Sequence, residues 1–130
     1  MATATGTFEV TSAGEDAYQE IEGEPKLTRA NGVQRFTGDI EGEGSVEWLV
    51  CYLPDGGARF AGLQRIAGSI GGRTGSFIAE ATADHDGTQS KGTWAIIAGS
   101  GTGELSTIVG TGTFEASKAG ASYSLGYQLG

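Results

Sequence analysis

The sequence predicts an all-β fold: a single antiparallel β-barrel of about eight strands. Three observations point to it. Short runs of alternating apolar and polar residues recur along the chain, separated by turn residues. No stretch carries the apolar period of a helix of ordinary length. Twenty-four glycines stand beside only two prolines, scattered through the strand-like runs without a fixed period. Glycine inside a strand marks a bulge, a bend or a close backbone approach, and small barrels need such positions at their corners.

Taken in order, residues 3–12 (TATGTFEVTS) alternate and read as a strand with one polar face. Residues 13–25 are acidic, with Tyr18 and Ile21 as the only large apolar side chains, and read as an exposed loop. Residues 26–38 form a second strand pattern, in which Asn31-Gly32 reads as a hairpin turn or a bulge. Residues 42–53 (GEGSVEWLVCYL) are the strongest strand. From Val46 to Leu53 only Glu47 is neither apolar nor aromatic, and a strand apolar on both faces is covered on both faces. The barrel interior would cover one face and a neighbouring subunit the other, which implies a homodimer or homotrimer. Pro54-Asp55-Gly56-Gly57 is a turn by residue chemistry. Residues 58–70 and 73–82 are strands around a Gly71-Gly72 turn, residues 83–87 (ADHDG) a further turn, and residues 91–97 a strand. Thr102 would cap a short helical turn through Glu104 to Ile108. Residues 111–116 and 122–129 supply the last strands.

One hundred and thirty residues make one domain, 1–130, long enough to bury a core without staples. Cys51 is the only cysteine, so no intramolecular disulfide forms. The N-terminus shows no basic segment and no apolar h-region, and no apolar run approaches a membrane span. The expected location is cytoplasmic, with no membrane partner. A net charge of −8 argues against nucleic acid, whose affinity for proteins comes largely from Lys and Arg on phosphates. The charge fits a neutral, cationic or internally held partner.

The stretches DIEGEGSVEW, GGRTGSF and GSGTGEL, with the early Lys26-Leu27-Thr28-Arg29, resemble a small bacterial domain-of-unknown-function family over nearly the whole chain. That family is similar in fold to the allene oxide cyclase barrel, a calycin-like set of eight antiparallel strands around a mostly apolar cavity. The resemblance implies a protein that guides a reactive small molecule without a cofactor. Members often carry a histidine in the strand after GGRTGSF. Here that stretch reads Phe77-Ile78-Ala79-Glu80-Ala81, so this chain lacks the histidine or uses Glu80 instead.

Glu47 is the first candidate for chemistry, because a carboxylate inside an apolar strand must be paired, hydrogen-bonded or shifted in pKa. It would act as a general acid or base in a barrel pocket, or form an ion pair with Arg65, Arg29 or Arg35. Gln64 and Arg65 alternate, so only one can share the cavity with Glu47. Tyr52 can donate a proton or a hydrogen bond. Trp48, Phe60, Phe77 and Trp94 are core residues or the walls of a pocket for a hydrophobic ligand.

His85 and its aspartate neighbours lack transition-metal spacing and read as a turn, and Cys51 reads as a small buried apolar residue. GSGTGEL lacks the Lys-Ser/Thr ending of a phosphate loop. Asp39, Glu41 and Glu43 lack the glycine and terminal glutamate of a calcium loop and read as a solvated rim. No metal site and no cofactor are expected. Two functions follow from this reading. One is a cofactor-independent isomerase or cyclase, with Glu47, Tyr52 and Arg65 in the proton chemistry and Trp48, Phe60, Gln64, Phe77, Glu80 and Trp94 around a hydrophobic substrate. The alternative is a non-catalytic carrier using the same cavity.

Overall fold

The structure, a computed structural model, describes all residues from Met1 to Gly130. The strands are β1 (Ala2–Gln19), β2 (Leu27–Gly38), β3 (Ile40–Tyr52), β4 (Ala58–Ile70), β5 (Arg73–His85), β6 (Gln89–Ile96), β7 (Thr102–Gly103), β8 (Val109–Ser117) and β9 (Gly120–Gln128). Neighbours in the chain pair antiparallel from β1 to β6, then β6 pairs with β8, β8 with β9, and β9 returns to β1. Eight strands thus close a barrel, and the two-residue β7 adds to β5 near one rim. Gly71 and Gly72, with φ of 59° and 81°, make the two-residue turn between Ile70 and Arg73. Both positions of such a turn need positive φ, which glycine adopts at no steric cost.

Alternation places one residue set inside. β2 turns Thr28, Ala30, Gln34 and Phe36 inward, β3 turns Ile40, Val46 and Val50 inward, and β4 turns Ala58, Gln64, Ile66 and Ile70 inward. The interior is filled at its middle by Phe8, Phe36, Trp94, Phe114 and Tyr123, with ring centroids 5.3–6.4 Å apart. Inward-facing glycines make room for these rings. A Cβ on Gly44 would stand 2.6 Å from Phe36 Cε2, and one on Gly92 would collide with the ring of Phe114.

Several local expectations are corrected. Residues 13–19 are strand rather than loop, because β2 pairs with β1 as far as Gln19 and satisfies its backbone. Asn31-Gly32 is neither turn nor bulge but uninterrupted β2, and the irregularities lie in β1, between Val10 and Ser12 and between Ala17 and Gln19. β9 reaches only residues 2–8 of β1, so residues 9–19 run past the barrel rim with one edge unpaired. Residues 104–107 form turns rather than a helical turn, with the Glu104 N–H donating to the Thr74 carbonyl. Within one chain β3 is covered on its inner face, and Leu49 on its outer face is 52% exposed.

Candidate functional site

The middle of the barrel is a packed core and not an open cavity. Phe77, Trp94 and Gln64 are 1%, 2% and 4% exposed. The Trp94 indole N–H donates to Gln64 Oε1 at 2.8 Å, and Gln64 Nε2 donates to Gln34 Oε1 at 3.1 Å. No buried side-chain nitrogen or oxygen is left without a partner. Three residues expected around a substrate therefore hold the core together, because the aromatic rings leave them no open space.

Glu47, Arg65 and Glu80 are exposed on the outer face of β3, β4 and β5. The expectation that Glu47 faces an interior pocket is corrected by the strand period: Val46 and Trp48 point inward, so Glu47 between them points out. Arg65 follows the same logic beside the inward Gln64.

Tyr52, Trp48 and Phe60 remain together, at the rim where the β1–β2 overhang rises. Trp48 packs edge-on against Phe60, with centroids 5.6 Å apart and planes at 79°. Both rings flank the small cluster of Ala30, Val50 and Ala58. The Tyr52 hydroxyl donates to Glu15 Oε2, and the same oxygen accepts from Thr28 Oγ1 at 2.6 Å. Lys26 Nζ lies 5.0 Å from the centre of the Tyr52 ring. The Thr28 hydrogen bond, then that from Tyr52, hold the Glu15 carboxyl below the usual carboxylate range. Burial first, and the hydrogen bond to Glu15 second, push Tyr52 up to about 12.

Glu15 borders an open groove of about 410 Å³, whose walls are Val10 and Ala13 of β1, Ala30 of β2 and Val46 and Trp48 of β3, with Gln34 at its floor. Gln34 uses Oε1 on Gln64, and its Nε2 is not buried and has no partner within the chain. The groove thus offers an apolar wall with one aromatic ring, a neutral donor at the floor, and a carboxylate–phenol pair at the rim. Glu15, Thr28 and Gln34 escaped the sequence reading. Glu15 sits among Asp16, Glu20 and Glu22, and only the irregularity at Thr11 turns the odd-numbered side of β1 toward the groove.

The acidic run in DIEGEG ties strands. Asp39 Oδ2 accepts from the Thr5 N–H at 2.9 Å, and Glu41 Oε1 accepts from the Gly38 N–H at 3.4 Å. His85 Nδ1 meets Ser90 Oγ at 2.9 Å across the β5–β6 hairpin.

Residues 4–127 match DUF3224, described as a protein family of unknown function. The chain belongs to the DUF3224 family. A crystal structure at 1.84 Å of a DUF3224 protein of unknown function from Shewanella oneidensis MR-1 superposes with a TM-score of 0.84 at 22% identity. The match covers 100% of this chain and 98% of that one. At this identity the likeness speaks for the barrel alone. No curated protein matches the chain.

Proposed function

We propose that this DUF3224 barrel binds a small, largely apolar molecule with a polar end, seated in the groove at the rim. The observation that carries the reading is the groove itself: Trp48, Val46 and Ala30 form its wall, the Gln34 amide donor stands at its floor and the Glu15–Tyr52 pair at its edge. Ligand sites combine this kind of apolar lining with a few convergent polar groups. The expected similarity in fold between this family and the allene oxide cyclase barrel favours the same class, as an analogy of architecture that fixes no reaction.

A cofactor-independent isomerase or cyclase is the second reading, favoured by the direct hydrogen bond between the Tyr52 hydroxyl and the Glu15 carboxylate beside the groove. Proton transfer is efficient when the pKa values lie near the working pH. Glu15 is shifted down and Tyr52 up to about 12, so both move away from neutrality. This pair serves hydrogen bonding to a ligand better than proton transfer, and binding is therefore the first reading.

Native mass spectrometry of freshly purified protein, set against its denatured mass, tests both. The expected result is a reproducible small-molecule adduct that Trp48→Ala loses and Leu63→Ala, on the outer face, retains. A bare mass for the wild type, or an adduct indifferent to Trp48→Ala, overturns the groove as the site. Conversion of the extracted molecule by wild type and not by Tyr52→Phe would establish the enzyme instead.

A further inference from the structure

The outer face of β2 to β5 differs from the rest of the surface. Leu49 and Leu63 stand there, each 52% exposed, as the largest apolar side chains on the barrel wall away from its rims. Four charges surround them in strand register: Arg29 opposite Leu49, Glu47 and Glu80 on either side of Leu63, and Arg65 opposite Ile78. None of the four has an ion-pair partner within the chain, whose one salt bridge joins Arg59 and Asp84. Glu47, Leu63, Arg65, Val33 and Ile78 border a shallow groove of about 450 Å³ on this face.

The charge balance is as distinctive as the leucines. Arg29, Arg35, Arg59 and Arg65 share this face with Glu41, Glu43, Glu47, Glu80 and Asp84, so half of the eight basic residues gather where the surface is nearly neutral. Nearly all of the net charge of −8 lies elsewhere. A basic partner would be drawn to those other faces. A patch with equal and unpaired charges of both signs around an apolar centre is complementary to itself, the requirement for a two-fold contact between identical chains.

We propose that a second copy of this chain docks on the outer face of β2 to β5. Leu49 and Leu63 of each copy pack against the groove of the other, and the free Arg29 and Arg65 guanidiniums meet the free Glu47 and Glu80 carboxylates across the two-fold. The remaining acidic surface points away from the contact on both copies. Four strands at about 4.8 Å spacing and seven residues at about 3.3 Å cover roughly 400 Å² in plan, which suits a small and reversible interface. The other open surface, the unpaired edge of β1, is the poorer choice. Its two irregularities and its acidic side chains Glu9, Glu15 and Asp16 are the devices that keep edge strands from pairing.

Sedimentation velocity over a concentration series, with circular dichroism as a control for folding, tests the proposal. The wild type is expected to sediment as a dimer that dissociates on dilution. Leu63→Glu should give a monomer with an unchanged spectrum. Glu47→Arg and Arg65→Glu should each weaken the dimer at least tenfold, and the doubly swapped variant should recover it. The swap decides the matter even where Leu63→Glu unfolds the barrel. A wild type that is monomeric at every concentration overturns the proposal. So does a dimer indifferent to the charge swaps but dissociated by Gly14→Pro, which would place the contact on the β1 edge.

Discussion

Glu15 and Tyr52 push each other's titration apart, and the direction of each shift sets a pH window. Tyr52 rises from 10.0 to about 12, through burial and the Glu15 hydrogen bond. The stability contributed by the neutral phenol is therefore complete below pH about 10 and is lost as pH climbs toward about 12. Glu15 is shifted down, so its contribution is present above the ordinary carboxylate range and is lost as pH falls through its lowered value. Phenolate absorbance should show a tyrosine titrating near pH 12, and Glu15→Gln should move that midpoint back toward 10 while burial keeps part of the shift. An unmoved midpoint would remove the hydrogen bond from the account. At this scale the sequence was half legible. Tyr52, Trp48 and Phe60 were visible as polar-tipped or aromatic residues in strong strands. Glu15 was invisible, because nothing local separates it from the other carboxylates of its segment.

The hairpin between β5 and β6 carries an explicit side-chain anchor. Asp86 Oδ1 accepts from the backbone N–H of Thr88 and Gln89, both at 2.9 Å, and from the Thr88 hydroxyl at 2.8 Å. These donors, Gln89 first, lower the carboxyl from 3.8 to about 2. A lowered carboxyl stabilises above its unfolded value, so the contribution is present above pH about 4 and is lost as pH falls to about 2. Carboxyl NMR should place the Asp86 midpoint near 2. Asp86→Ala should lower the unfolding midpoint at neutral pH and match the wild type at the acid end of that window. The strands themselves were legible from alternation and turn residues, and their number was right. What alternation alone could not supply was its phase. The irregularity near Thr11 shifts β1 from even-numbered to odd-numbered inward residues. In β3, Leu49 on the outer face broke the apolar–polar alternation that would have shown Glu47 to point outward, away from the interior.

The β9–β1 ladder that closes the barrel is reinforced by a side-chain contact that reaches past β1. The Tyr123 hydroxyl of β9 donates to the Thr37 carbonyl and accepts from the Ile40 N–H, both at 2.9 Å, binding the last strand to the corner between β2 and β3. Tyr123→Phe leaves the Ile40 N–H without a partner, and a buried unpaired donor costs about 1–3 kcal/mol. Urea unfolding should show a lower midpoint with an unchanged slope, since the surface exposed on unfolding stays the same. A changed slope would mean that the barrel had opened in the native state. None of this cross-barrel contact was legible, because residues separated by 83 positions meet only after the sheet curls. The pairing of β1 with β9 has a temporal side. β1 emerges first during synthesis and waits for β9, so the growing chain passes through an open meander whose leading strand has no second neighbour. Such intermediates are prone to associate wrongly. Residues 2–8 are the segment left open until β9 arrives, whereas the interruptions and carboxylates along residues 9–19 blunt the part of β1 whose edge stays unpaired even after the ring is complete.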